Sequence, residues 1–152
     1  MGNFKQGYYS PVYPEKWIIP KTSITKGNGI RYMSSWEKKA FNFLDFHPGI
    51  EKISSEPFGI EYLHPDGKIH RYYPDLLVKT KNGKKFLVEI KPLEQTIPPK
   101  QPKRLTKKAQ ENYIKAFETF QINMSKWNSA REFCSKNNLE FIILTEKELQ
   151  IK

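Results

Sequence analysis

The chain has 152 residues, a formal net charge of +10 and one cysteine, Cys134. That length suits one domain around one core, and a lone cysteine excludes an internal disulfide framework and a cysteine-rich zinc site. The basic excess favours a polyanionic partner, nucleic acid first; no run approaches the roughly 20 apolar residues of a membrane span and no basic-then-apolar leader pattern is present, so an intracellular setting without membrane contact is expected.

Residues 1–29 read as an irregular arm. Tyr8, Tyr9, Tyr13 and Trp17 alternate with Pro11, Pro14 and Pro20, and proline interrupts helix and sheet alike. Two destinations are open to these aromatics: the arm's own domain, or a neighbouring protein. Residues 30–152 are assigned to the domain proper.

Ser34 to Phe46 predicts the first helix. Ser34-x-x-Glu37 matches a capping box, Trp36, Ala40, Phe43 and Leu44 form an apolar stripe, and Pro48-Gly49 ends the element. Glu37 has two readings. It caps its own helix, or it is an acidic group facing the buried side, which Phe41 and Leu44 mark at i+4 and i+7. Glu51 to Leu63 predicts a strand interrupted at Glu56-Pro57. The turn His64-Pro65-Asp66-Gly67 follows, then a second strand from Lys68 to Val78. His64 and His70 read as surface or phosphate-facing side chains, not metal ligands. Arg71 is either a DNA phosphate contact or a solvated strand charge.

The centre of the sequence is Tyr72-Tyr73-Pro74-Asp75 followed by Val88-Glu89-Ile90-Lys91, the two arms of a hairpin. Residues two apart on a strand share a face, so Glu89 and Lys91 project together with Cα atoms about 6.5 Å apart, while Phe86, Val88 and Ile90 face a core. Charge at the end of so apolar a strand is costly unless it is paired or binds a metal. Asp75 and Glu89 supply the hard oxygen ligands that Mg2+ takes, and Lys91 suits charge developing on a phosphate. Together they suit metal-assisted phosphodiester hydrolysis. The alternative is an ordinary hairpin whose Asp, Glu and Lys form a surface ion pair. The register separates them. A two-residue loop, Asn82-Gly83, sets Asp75 against Ile90 and sends Glu89 to the opposite side. A three-residue loop, Lys81-Asn82-Gly83, with Gly83 left-handed, sets Asp75 against Glu89. The three-residue loop, or a bulge with the same effect, is predicted because phosphodiester chemistry at this site requires it.

After Lys91, Pro92, Pro98, Pro99 and Pro102 forbid regular structure. Lys100, Lys103, Arg104, Lys107 and Lys108 form the densest basic run, placed where a DNA backbone needs neutralising. Such contacts give affinity without sequence information; a solvated linker is the alternative. Thr106 caps the longest helix, reaching about Lys136. Ala109, Tyr113, Phe117, Phe120, Met124, Trp127 and Cys134 form its core-facing stripe, and Lys107, Gln110 and Tyr113 on its first turns are within reach of the site or substrate. Leu139 to Thr145 is a buried strand. Three hairpin-linked strands, then one reached through a helix, predict an α/β fold: a small mixed β-sheet flanked by helices.

Two resemblances sharpen this reading. Pro74-Asp75, fourteen residues to Glu89, then Glu89-Ile90-Lys91 resembles the PD-(D/E)xK signature of restriction-endonuclease-like folds. More narrowly, Arg31 to Glu37, His64-Pro65-Asp66-Gly67-Lys68, Tyr73-Pro74-Asp75, Glu89-Ile90-Lys91-Pro92, the proline-lysine run to Thr106 and Lys126-Trp127-x-x-Ala130 resemble the head completion nucleases of T-even-type tailed phages, relatives of the TnsA-type transposase endonucleases. The resemblance covers about Ile30 to Thr145. It implies a DNA endonuclease dependent on Mg2+ (or Mn2+), with Glu37, Asp75, Glu89 and Lys91 as the catalytic set and Asp75, Glu89 and Glu37 at the metal. It implies work on the DNA-filled head, portal and neck (connector) proteins as partners, and a place in the virion head–neck region and in the host cytoplasm during assembly. Two alternatives stay open: a non-catalytic DNA-binding neck component docked through the aromatic arm, and a transposon or restriction nuclease with no virion role. The intact Asp, Glu and Lys favour the nuclease.

Overall fold

The computed structural model describes residues 6–18 and 29–149. Its strands are β1 (Gly7–Tyr9), β2 (Trp17–Ile18), β3 (Ile30–Tyr32), β4 (Ile50–Ser55), β5 (Ile60–Leu63), β6 (Ile69–Tyr72), β7 (Leu76–Thr80), β8 (Lys85–Ile90) and β9 (Glu140–Leu144). The helices are α1 (Ser35–Phe46), α2 (Lys107–Lys136) and the short α3 (Glu146–Leu149). The central sheet has five strands in the order β2-β4-β7-β8-β9. β7 runs antiparallel to β4 and β8, whereas β2 joins β4 and β9 joins β8 in parallel. This is the mixed sheet with flanking helices that the element order predicts.

β8 explains the layering. Its sequence, Lys-Phe-Leu-Val-Glu-Ile, is apolar on alternate positions of both faces, as a central strand requires, and Leu87, Val88, Glu89 and Ile90 are all buried. On one face Val88 and Ile90 pack with Ile53, Val78 and the α1 residues Ala40, Phe41 and Leu44. On the other, Leu87 packs with Ile60, Tyr62, Tyr72 and the α2 residues Trp127, Ala130 and Cys134. Cys134 is a core residue, as its place on the stripe predicts. Ser34 caps α1, its Oγ accepting from Glu37 N at 3.2 Å, and Glu37 Oε2 accepts in return from Met33 N at 2.9 Å.

The structure departs from the sequence reading in four places. The N-terminal segment is not irregular where it is described: β1 pairs with β3 and β2 extends the central sheet. The cause is Asp45, fully buried, which accepts from Tyr9 OH (2.6 Å), Val12 N (2.7 Å), Tyr13 N (3.2 Å) and Trp17 Nε1 (3.0 Å). Tyr9 and Trp17 therefore pack around Phe41 in their own domain, while Tyr8 and Tyr13 stay exposed. Pro20 lies outside the described residues. Next, the strand expected over Glu51–Leu63 is two strands in two sheets, because Glu56 adopts a left-handed φ of 43° and Pro57 has no N–H to donate.

The strand expected over Lys68–Val78 likewise breaks at Tyr73-Pro74-Asp75 into β6, which pairs with β5, and β7. Finally, only the C-terminal half of the α2 stripe is core. Asn123, Trp127, Ala130 and Cys134 are buried, whereas Phe117 is exposed. A helix of 30 residues is about 45 Å long, and strands of four to six residues reach about 20 Å, so its first half overhangs. There Tyr113, Phe117 and Phe120 pack on one another, with ring centroids 6.1 and 6.5 Å apart. Among the described residues no helix is long and apolar enough to cross a membrane.

Candidate active site

The β7–β8 turn closes with the three-residue loop. Thr80 N donates to Lys84 O at 2.8 Å, Gly83 N donates to Thr80 O at 3.0 Å, and Gly83 sits at φ +88°. Leu76 pairs with Val88 and Leu77 with Leu87, and one further step sets Asp75 against Glu89. The break at Pro74 ends β6 and starts β7 so that Asp75 stands at the mouth of the hairpin.

The two carboxylates form a like-charged pair in a poorly solvated place. Partial burial pushes Asp75 well above the usual carboxylate range; the adjacent Glu89, within hydrogen-bonding reach, pushes further and Glu37 adds to it, against the pull of the Ile90 N–H at 2.8 Å. Glu89, only 4% exposed, accepts on Oε2 from Tyr72 OH at 3.0 Å and from Trp127 Nε1 at 3.1 Å. Burial and the Glu89 charge hold the Tyr72 phenol protonated, so it remains a donor. Each carboxylate thus has one oxygen fixed by the protein, and the other receives no N–H or O–H donor among the described residues. Nor does any described lysine or arginine nitrogen come within 4.0 Å of either carboxylate. Two adjacent carboxyl groups with no lysine or arginine partner, one buried and one half-buried, fit a divalent ion such as Mg2+, which would favour the ionised form of both.

Glu37 and Lys91 border this pair. Burial raises the Glu37 carboxyl above its ordinary value, the Met33 N–H and Lys91 lower it, and Glu56 and Glu89 raise it further. Both readings of Glu37 therefore hold in geometry: it caps α1 and it lies in the field of Lys91 and Glu89. Among the described residues its carboxylate does not lie within 4.8 Å of both Asp75 and Glu89. Lys91 is half-buried at the end of β8, its N–H bonded to Leu144 O at 3.1 Å.

Residues 47–146 match the family described as TnsA-like endonuclease N terminal. The head completion nuclease of Enterobacteria phage T4 is 36% identical over 141 residues, covering 91% of this chain and 94% of the relative. The chain belongs to the TnsA-like endonuclease family. The match spans the hairpin, the flanking proline-rich run and all of α2, so the resemblance read from the motifs and the sheet that carries them agree.

In this endonuclease the remaining predicted residues lie outside the carboxylate pair. Lys100, Lys103, Arg104, Lys107 and Lys108 are all exposed, on the non-regular stretch after a 3-10 turn at Leu93–Thr96 and on the first turn of α2. Arg71 is exposed on β6, its aliphatic stem against Gly59. Gln110 and Tyr113 lie on the overhanging half of α2. His64 and His70 do come together with Asp66, their ligand atoms within 4.8 Å of one another. That group could hold a metal, but its bonds are spent internally: Asp66 N donates to His64 Nδ1 (3.0 Å), Lys68 N donates to Asp66 Oδ1 (2.8 Å), and His70 Nε2 meets Asp66 Oδ2 (2.8 Å). The two rings stack at 4.2 Å. It locks the β5–β6 turn.

Three residues at the site escaped sequence reasoning. Tyr72 and Trp127 orient Glu89, and Glu56 lies in the field of Glu37 while its N–H bonds to Asp75 O at 2.9 Å. Trp127 reads from the sequence as core, which it is; its indole N–H serves the site as well. The charge of Glu56 next to Pro57 carried no periodic signal.

Proposed function

We propose that this endonuclease hydrolyses DNA phosphodiester bonds with a divalent metal, Mg2+ first and Mn2+ as a substitute, at the pocket formed by Asp75, Glu89 and Lys91. The observation that carries the reading is the register of β7 on β8, which brings two partly desolvated carboxylates to one face beside a half-buried lysine. Asp75 and Glu89 would hold the ion. Bound there, it supplies Lewis acidity toward the phosphate and acidifies a water. Ile90 N–H, Tyr72 OH and Trp127 Nε1–H fix the carboxylates so that they need not reorganise. Lys91 takes up charge on the phosphate. Glu37 supports the metal site from α1, in the field of Lys91 and Glu89. The basic run from Lys100 to Lys108, with Arg71, holds the DNA backbone.

The biological setting follows the relative's name. The 36% identity with a phage T4 head completion nuclease over nearly the whole chain supports a role in completion of the phage head after DNA packaging; we propose work in the head–neck region of the virion and in the host cytoplasm during assembly, with portal or neck proteins as partners. The non-catalytic neck reading rests on a free aromatic arm, and Tyr9 and Trp17 are instead buried in their own domain, which weakens it. We assign residues 30–152 to the nuclease domain, with the segment before it fastened by Asp45.

The test is incubation of the purified protein with supercoiled plasmid and Mg2+ or Mn2+, beside Asp75→Ala, Lys91→Ala and an EDTA control. Nicking or linearisation by the unaltered protein alone supports the reading. Equal cutting by the variants refutes the site. No cutting with DNA binding retained moves the function to the structural neck role.

A further inference from the structure

The helix turn that delivers Trp127 to Glu89 also delivers Lys126. Lys126 is half-buried, its ammonium 5.8 Å from the ring centroid of Tyr62 and 5.7 Å from that of Tyr72. Tyr62 stands on β5 and Tyr72 on β6, both buried, so a cation–π clamp from the β5–β6 hairpin holds the lysine from one side. Tyr72 is also the residue that bonds Glu89, which places the clamp against the carboxylate pair.

The ammonium has no anion paired with it among the described residues. Among the described residues no carboxylate oxygen comes within 4.0 Å of it and no side-chain hydrogen bond engages it. Aromatic faces orient a cation but accept none of its N–H bonds in the manner of a carboxylate, so the donors of Lys126 are unspent. Burial, then repulsion from Lys91, lowers its proton affinity, while Glu89 and Asp75 raise it. Lys126 thus shares one electrostatic environment with both site carboxylates and the site lysine. Two half-buried lysines that repel each other beside one carboxylate pair are explained if an anion comes between them.

We infer that Lys126 is a second phosphate-binding lysine of the nuclease centre, held by Tyr62 and Tyr72 to meet the DNA phosphodiester from the α2 side while Lys91 meets it from β8. The inference rests on the nuclease reading above. It separates Lys126 from the exposed basic run, whose members lie on the loop and the far end of the helix: Lys126 serves the phosphate at the site, the run serves the backbone outside it.

The experiment measures two things on the full chain with Lys126→Ala and Lys126→Arg. Binding to a short DNA duplex in EDTA is followed across salt concentration, and plasmid cutting is followed in Mg2+. Lys126→Ala is expected to reduce the slope of log Kd against log salt by about one, to slow cutting by about 100-fold, and to keep its melting temperature. Lys126→Arg is expected to restore the slope and most of the cutting. An alanine variant with the slope and cutting of the unaltered protein overturns the inference. So does an arginine variant that restores neither while both variants melt lower, which would make Lys126 a packing residue of the clamp. If the unaltered protein binds but never cuts, the nuclease reading fails by itself, and the salt slope still decides whether Lys126 holds a phosphate.

Discussion

The indole N–H of Trp127 donates to Glu89 Oε2 at 3.1 Å, and that one bond ties the long helix α2 to the reactive end of β8 across 38 residues. Tyr72 reaches the same oxygen at 3.0 Å. A metal ligand oriented from two sides loses little on binding its ion, and removing such a partner costs about 10- to 100-fold in affinity or activity. Tyr72→Phe keeps the ring and deletes the hydroxyl. The Mg2+ concentration for half-maximal nicking is expected to rise at least about 10-fold. A metal titration of plasmid cutting checks it.

Burial and the neighbouring Glu89 charge oppose ionisation of Asp75. Asp75→Asn removes that conflict, so it should abolish cutting and raise the melting temperature by a few degrees. Mg2+ should stabilise the unaltered protein and leave the Asp75→Asn variant nearly unmoved. Calorimetry with and without the ion measures both.

Asp45 sets the acid limit of the fold. Burial alone would raise its carboxyl, but the hydrogen bonds from Tyr9, Trp17, Val12 and Tyr13 outweigh burial and hold it below the ordinary value. A depressed folded value means that the stabilisation is present above the unfolded value of about 3.9 and is lost as pH falls through the folded one. Asp45→Asn should cost about 2–4 kcal/mol at neutral pH and flatten the acid limb of the stability curve. Urea unfolding between neutral pH and pH 3 reports the difference.

The basic run is testable by salt. Replacing Lys100, Lys103 and Arg104 together by alanine should lower the salt slope of DNA binding by roughly three and weaken binding at physiological salt without altering single-turnover cutting on saturated enzyme. A slope equal to that of the unaltered protein would assign these residues to a solvated linker.

Much of this was legible in the chain. The α1 cap and the turn at Gly83 are local, set by a serine hydroxyl three residues from its N–H and by a glycine that alone tolerates φ +88°. Once the three-residue loop is chosen, period-two alternation places Asp75 opposite Glu89. What escaped was non-local. Nothing in the spacing of Tyr9, Tyr13 and Trp17 says that Asp45 waits 28 to 36 residues away to collect their donors. Nor does helical periodicity say where the sheet stops beneath α2.

The sequence by itself carried the helices, the turn at Gly83, the family resemblance and the candidate residues Asp75, Glu89 and Lys91, because each depends on short-range periodicity, turn chemistry or a contiguous motif. Only the tertiary structure decided which hairpin register forms, that the N-terminal segment belongs to the core, that Tyr72 and Trp127 bond Glu89, and that the Lys126 ammonium lies against Tyr62 and Tyr72. Those facts rest on hydrogen bonds and fields between residues distant in the chain, whose energies exist only after the elements have packed.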